Sequence, residues 1–588
     1  MARNRTAWWR VLLALVYSLF GGVTAGVCSL YFAAGSYGEE MFRSYLANPY
    51  ITVLNLLPPV LLSLLLYLLL NRAFWSFVGT HLITVGLTLV HYYKMTFRGD
   101  ALIAEDLALV TESKKMLETY ELFVDAYMLR YFVFAGIGAL LALLFGGRFR
   151  KKAPRLLAAV VLCAACTALV PTYTSELYYN EKTANNSGIN PWSETQVYVS
   201  KGFVYPFLYT VPSAFHPAPD GYNADEAAAV LDGYTDAAIP PDKAVNIVAV
   251  MLEAYNDLSR LDELTFVNDV YGKYRELEAM GYSGTLVTDI FAGDTRISER
   301  EFLTGLPYSR LDNFIANSNS YVWYLRQNGY TTEGSHPCYA WFYNRENINK
   351  KLGFERYFFS ENYYRPITGG DITYDARLFP LMYEVYQTRD RTKPYFSFSI
   401  TYQGHGPYED ETRYFAEPFV ADPGVSASAE AILNNYLNSQ KETTDMLYAF
   451  VQDMLATEEP LVLVFFGDHK PWMGNNGSVY AEYGINMDVS TEEGFLNYYG
   501  TRYLILANDA AKAVTGNEFS GEGETVSASF LMNKVFELCG YKGSAYMQYT
   551  TDLAAKYPVI HRTDAYTEAE KQTFDRVSYY YRKNFLYD

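Results

Sequence analysis

Residues Leu461–His469 read LVLVFFGDH: six apolar residues in a row, then a glycine, an aspartate and a histidine. Apolar and polar residues do not alternate here, so a strand over this run has both faces covered, as in a parallel sheet flanked by helices. Further strand-like runs are Ala244–Leu252 (AVNIVAVML), Tyr395–Tyr402 (YFSFSITY) and, shorter, Tyr503–Ala507 (YLILA), which stand out by their aromatic and β-branched content. Their abrupt polar ends and the helical stretches between them predict one α/β domain with a mostly parallel sheet. Ligands bind such sheets just beyond the carboxyl ends of the strands. The residues there are Glu253, then Gly404-His405-Gly406, then Gly467-Asp468-His469. A structural histidine or a capping aspartate explains any one of these, but three at corresponding positions mark a site.

Glu253, Asp468 and His469 offer two hard carboxylate ligands and one imidazole, a set that suits Mn²⁺, Mg²⁺ or Zn²⁺, and a Ser or Thr oxygen would complete a four-ligand site. A cation makes a bound hydroxyl easier to deprotonate and offsets charge developing on a phosphoryl oxygen. A loop must deliver that hydroxyl. The stretch Gly293–Gly305, GDTRISEREFLTG, follows a predicted strand over Gly284–Ile290 and opens a helix. It carries Thr295, Ser298 and Thr304, and by itself it reads equally well as a polar loop with Thr295 as a helix N-cap.

Upstream the composition changes. Val11–Gly35, Ile51–Leu70, Phe74–Met95, Tyr131–Gly147 and Leu156–Val170 are apolar runs that reach or approach the roughly 20 residues needed to cross a hydrocarbon core. Arg3, Arg5 and Arg10 precede the first run, and Arg148, Arg150, Lys151, Lys152 and Arg155 separate the last two. With five crossings, the excess of basic residues in cytoplasmic loops puts both clusters inside and everything after residue 172 outside the cell. The first run is too long for the core of a usual cleavable signal peptide. The amphipathic loop over residues 96–130 suits the outer membrane surface. The expected organisation is a five-span membrane domain over residues 1–172, an extracellular linker over 173–240 with a helical patch at Ala224–Asp232, and a catalytic domain over 241–588.

The 588-residue chain has a net charge of −18, which argues against nucleic acid as a partner. Only Cys338 and Cys539 fall outside the apolar runs, so there is no disulfide scaffold and no cysteine-rich zinc motif. His216 and His561 have no motif around them.

Four blocks together resemble the lipoteichoic acid synthase family, polytopic members of the alkaline phosphatase/sulfatase-like superfamily. They are NIVAVMLEAY, GDTRISEREFLTG, TYQGHGPY and FFGDHKPW. A fifth, HPCYAWFYNRENINKKLGFERYF, is similar to the family's headgroup-binding segment, and KMTFRGDALIAEDL after the third run fits as well. The resemblance covers nearly the whole chain. It implies an extracellular sulfatase/alkaline-phosphatase-like domain and one divalent ion, Mn²⁺ or Mg²⁺, held by Glu253, Thr295, Asp468 and His469. Counting back from Leu303-Thr304-Gly305, it puts the nucleophile on Thr295. It gives His336, Tyr343, Asn344, Arg345 and His405 to substrate binding or proton transfer. The implied reaction moves glycerophosphate from phosphatidylglycerol to a glycolipid or polyglycerolphosphate acceptor, at the membrane of a Gram-positive-type bacterium. The alternatives are a phosphoethanolamine transferase or phosphodiesterase of the same superfamily, or a non-catalytic envelope binding protein. A sulfatase proper would need a Cys- or Ser-x-Pro-x-Arg sequence, and none occurs. Two positions depart from the family pattern: Arg300 stands where a Phe is usual, and Tyr343 where a Trp is usual.

Overall fold

The structure is a computed structural model. It describes residues 2–587 except 99–100, 110–123, 145–146, 150, 186–188, 190–193, 213, 215–217, 312–313, 315, 341, 475–476 and 565–566. His216, Arg150 and the middle of the loop expected over 96–130 lie outside the described residues. The chain divides into two compact units, Met1–Pro217 and Ala218–Asp588.

Among the described residues of the first unit, five helices are long and apolar enough to cross a membrane: Trp8–Ala34, Pro49–Leu70, Ala73–Thr96, Ala126–Leu144 and Lys152–Tyr173. The last two outrun the short apolar runs of the sequence because helix continues through their aromatic and basic ends. Small residues let the first two helices touch. A Cβ on Gly22 would lie 2.4 Å from the Cα of Val60, so only glycine permits this approach. Hydroxyls bridge the helices, with Ser63 Oγ donating to Ser18 O (2.7 Å) and Ser29 Oγ meeting Thr88 Oγ1 (2.7 Å). The stretch 173–240, expected as a linker, divides at the unit boundary. Its first part folds onto the membrane-type helices, where Asn55 takes the amide of Tyr205 (3.1 Å) and donates to Lys201 O (2.8 Å). Its later helix, Ala224–Leu231, packs on the C-terminal helix Ala569–Lys583 of the second unit.

The second unit is built on a nine-stranded sheet. In chain order the strands are β1 (Asn246–Leu252), β2 (Tyr282–Val287), β3 (Thr331–Ser335), β4 (Arg356–Phe358), β5 (Tyr395–Ile400), β6 (Leu461–Gly467), β7 (Gly500–Ala507), β8 (Gly521–Glu522) and β9 (Val526–Ser527). The spatial order is β4-β3-β5-β1-β6-β7-β2-β8, with β9 also on β2. Every pairing is parallel except the two made by β7, with β6 and β2. The unalternating apolar runs are explained by helices on both faces. Ile247, Ala249 and Met251 of β1 enter one apolar cluster while Val248, Val250 and Leu252 enter the other. The central strands β5, β1 and β6 thus deliver their carboxyl ends side by side.

Candidate active site

Backbone proximity at those strand ends is what assembles the site. A Cβ on Gly404 would stand 2.0 Å from the carbonyl oxygen of Glu253, and one on Gly467 would stand 2.2 Å from that of Tyr255. Glycine at both positions lets the segments after β5 and β6 close on the end of β1. There the Glu253 amide donates to Thr401 Oγ1 (2.9 Å). Ala254 turns into the left-handed region (φ 49°) and its amide donates to Asp468 Oδ1 (2.8 Å). One carboxylate oxygen of Asp468 is thereby anchored, and Oδ2 has no hydrogen-bond partner among the described residues.

Glu253, Asp468 and His469 are buried, and one ligand atom from each lies within 4.8 Å of the others. His469 Nδ1 sits 2.9 Å from the carbonyl of Lys470. A carbonyl only accepts, so Nδ1 carries the proton and Nε2 presents its lone pair, a tautomer assignment of the kind that orients metal-binding histidines. That lone pair faces Asp468 Oδ2 at 3.2 Å and Glu253 Oε1 at 3.6 Å. Three electron-rich atoms so close repel one another unless positive charge lies between them. The same strain shows in the Glu253 carboxyl, which burial, and next the Asp468 charge, push up to about 8. The donor set and its unpartnered atoms therefore fit one divalent cation.

Of the three hydroxyls in the loop, the structure brings only Thr295 to this cluster. Its Oγ1 donates to Glu253 Oε2 at 3.4 Å. Thr295 occupies the N-cap position of helix Arg296–Thr304 but makes no capping hydrogen bond, so its hydroxyl is turned to the site instead of the helix. Ser298 Oγ is spent on Asp468 O (2.7 Å) and Thr304 Oγ1 on Arg300 O (2.6 Å). Arg300, unexplained by the resemblance, is buried with its guanidinium over the ring of Phe314 (5.8 Å).

On the other flank Arg345, 2% exposed, is held by a hydrogen-bonded ion pair from Nε to Glu299 Oε2 (2.9 Å), and its Nη2 has no partner among the described residues. His336 Nδ1 lies 3.4 Å from Arg345 Nη1, and burial holds this histidine well below its usual range. The Tyr343 ring lies under both Arg345 (5.1 Å) and Arg296 (5.8 Å). His405 Nδ1 meets Gly406 O (2.5 Å), and its ring stacks on Tyr402 with centroids 4.6 Å apart. Burial keeps His405 low and hence neutral. Sequence reasoning passed over Arg296, Tyr402 and Asn256, whose Nδ2 donates to His469 O (2.7 Å). Each stands within three residues of a motif residue, which was the available signal.

A mostly parallel α/β sheet with a buried carboxylate–imidazole cluster past its central strands defines a metal-dependent enzyme fold of the sulfatase/alkaline phosphatase type. The model of the sulfatase family matches residues 245–541, and the chain belongs to that family, here in a membrane protein. A Rhizobium meliloti protein named "Putative cyclic beta-1,2-glucan modification protein" is 26% identical over 383 residues, which is 63% of this chain and 57% of that one. The chain thus spans a little over half the length of this curated relative. Among solved structures, the Streptococcus pyogenes phosphoglycerol transferase GacH in complex with sn-glycerol-1-phosphate is similar at 19% identity and TM-score 0.48, covering 62% of this chain and 94% of that one. The lipoteichoic acid synthase LtaP from Listeria monocytogenes is similar at 18% identity and TM-score 0.41, covering 54% and 78%.

Proposed function

We propose that this protein is a phosphoglycerol transferase that takes glycerophosphate from phosphatidylglycerol outside the cell and passes it to a hydroxyl of a polyglycerolphosphate chain or glycolipid. The observation that carries the reading is that Thr295, alone of three hydroxyls in its loop, faces the Glu253–Asp468–His469 cluster. The motif resemblance supplies the phosphatidylglycerol donor. The name of the Rhizobium relative, a glucan modification protein, supports a sugar hydroxyl as acceptor.

Glu253, Thr295, Asp468 and His469 would hold one Mn²⁺ or Mg²⁺. When bound, the cation lowers the proton affinity of the hydroxyl and offsets phosphoryl charge. Arg345 Nη2, with Nε already committed to Glu299, binds a phosphate oxygen by a charge-assisted hydrogen bond, and His336 and Tyr343 line the headgroup beside it. Thr295 Oγ1 attacks phosphorus, the bond from phosphorus to the diacylglycerol oxygen breaks, and that oxygen takes up a proton. The hydroxyl proton of Thr295 initially points at Glu253 Oε2. His405, neutral through burial, is suited to carry a proton between the leaving and entering hydroxyls. The acceptor oxygen then attacks the phosphothreonine, the proton returns to Thr295 Oγ1, and the enzyme is regenerated.

The test is incubation of the full-length protein with vesicles of phosphatidylglycerol labelled in the headgroup. Wild type should accumulate a glycerophosphoryl adduct on Thr295 and release diacylglycerol. Thr295→Ala should do neither, and turnover by that variant would overturn the assignment.

A further inference from the structure

Beside the nucleophile stands a second arginine that the mechanism does not use. Arg345, the arm given to the donor phosphate, donates from Nε to a carboxylate, Glu299 Oε2 (2.9 Å), and its guanidinium lies over the ring of Tyr343 (5.1 Å). Arg296 repeats both features. Its Nε donates to Asp294 Oδ1 (2.7 Å), and its guanidinium lies over the same Tyr343 ring (5.8 Å). The two differ in depth, with 2% of the Arg345 side chain exposed and 17% of the Arg296 side chain. Arg345 is thus the inner, and Arg296 the outer, of two like arms that share one ring.

The backbone is strained where it builds this pair. Tyr343 (φ 55°) and Asn344 (φ 55°) are consecutive residues in the left-handed region, and Asp294 (φ 58°) is a third. Non-glycine residues hold this conformation only where the surroundings over-determine it, and such positions gather at binding and catalytic sites. The turn at Tyr343 and Asn344 comes directly before Arg345, and the turn at Asp294 comes directly before Thr295 and Arg296. Two guanidiniums brought to one ring repel each other. Glu299 and Asp294 each offset one of them, so the pair persists without a ligand and offers places for two anions.

We propose that Arg296 is a specificity-determining residue for the acceptor: it binds a phosphate that the acceptor already carries, so that a glycerophosphate-bearing acceptor is preferred to a neutral one. The idea rests on the proposed phosphoglycerol transfer through Thr295. Phosphatidylglycerol brings a single phosphate, and Arg345 takes it, so the second anion belongs to the acceptor. A guanidinium presents its N–H donors in a planar fork suited to phosphate. Arg296 adjoins the nucleophile in the chain, as the phosphate of a terminal glycerophosphate unit adjoins its free hydroxyl. Each transfer leaves such a unit at the new end of the acceptor, so the product is a better acceptor than a neutral starter and extension outruns initiation.

The experiment gives the full-length protein vesicles of headgroup-labelled phosphatidylglycerol and two competing acceptors, sn-glycerol-1-phosphate and glycerol. It reads the ratio of labelled transfer to the two. Wild type should favour glycerol phosphate, and Arg296→Gln should lower the ratio about tenfold, the worth of one hydrogen bond to a charged group. Asp294→Asn removes the carboxylate that competes for Arg296, with a residue type that accepts the left-handed backbone, and should raise the ratio. The acceptor role is overturned if wild type shows no preference, or if the ratio is unchanged in Arg296→Gln, including the case where transfer to both acceptors falls equally. Should Arg296→Gln fail to fold or to turn over, Asp294→Asn decides, and a ratio at or below that of wild type overturns the role. An active Thr295→Ala would sink the nucleophile assignment, whereas a silent Thr295→Ala beside an unchanged ratio in Arg296→Gln sinks only the acceptor role.

Discussion

Arg345 shows how a residue's surroundings decide what its replacement tells. Its guanidinium is buried against Glu299 through Nε, and Nη2 has no partner among the described residues; in the proposed mechanism it takes a phosphate oxygen. Arg345→Ala strands a buried carboxylate, at a cost to stability of about 3–5 kcal/mol, so its loss of activity would be uninformative. Arg345→Lys keeps the positive charge beside Glu299 but cannot hold the ion pair and a phosphate oxygen in one fixed fork. It should fold with a thermal midpoint near wild type and lose about 10- to 100-fold in kcat/KM for phosphatidylglycerol, the worth of one hydrogen bond to a charged group; an unchanged kcat/KM would remove Arg345 from the site. The carboxylates and His469 were legible in the sequence because they end apolar strands. The choice among Thr295, Ser298 and Thr304 was not legible in the loop alone. It depends on Asp468 O and Arg300 O taking the other two hydroxyls, and those partners come from the folded backbone. His561 was read as featureless for the same reason: Asp289, its neighbour in space, is 272 positions away along the chain.

At the scale of elements, continuous apolar runs revealed β1 and β6, because a strand covered on both faces needs no polar alternation, while β5 interleaves Ser397 and Ser399 with apolar residues and stood out by its aromatic and β-branched content. β3 reads TTEGS and carried no such signal; its side chains bond laterally instead, with Ser335 Oγ meeting Ser399 Oγ at 2.9 Å. The antiparallel direction of β7 was equally hidden, since composition records burial and not the route by which the chain arrives. Helix Asp375–Gln387 carries a pH-dependent cost. Asp375 is fully buried, accepts from Thr443 Oγ1 (2.6 Å) and leaves Oδ1 without a partner among the described residues. Burial pushes its carboxyl up to about 7. The folded state therefore keeps a proton that the unfolded chain has lost, from about pH 4 to about pH 7. Across that window this group's contribution to stability falls as pH rises, and above it the loss is complete, at up to about 4 kcal/mol for a shift of this size. Asp375→Asn should raise the thermal midpoint at pH 8, change it little at pH 4, and flatten the slope between. Melting curves at several pH values check this, and an Asp375→Asn variant no more stable than wild type at pH 8 would refute it.

For the whole molecule the decisive quantity is which side of the membrane holds the second unit, because donor headgroup and acceptor must meet the site in the same compartment. The amino acids at the ends of the first and last two spans supply the argument. Arg3 and Arg5 precede the first span and Arg10 lies in its first turn, and Arg148, Lys151, Lys152 and Arg155 lie at the junction of the fourth and fifth. If all five helices cross, both clusters lie on one side and residues 174–588 on the other, and the retention of basic loops in the cytoplasm supports our proposal that the second unit is extracellular. The acidic balance of the chain, net −18, carries no opposing instruction, since Asp and Glu contribute little to orientation. Under the proposed extracellular placement there is no nucleotide pool, so the proposed reading takes a lipid phosphodiester as the source of an activated phosphoryl group. Protease added to intact cells or spheroplasts should therefore digest the second unit and leave a membrane-protected fragment holding the five spans, whereas inside-out vesicles should protect the second unit. Substituting Arg148, Lys151, Lys152 and Arg155 together with Asn or Gln should weaken that preference and leave part of the population protected from external protease. Complete protection of the wild-type second unit in intact cells would reverse the orientation and with it the choice of an extracellular acceptor, while leaving the chemistry at Thr295 untouched.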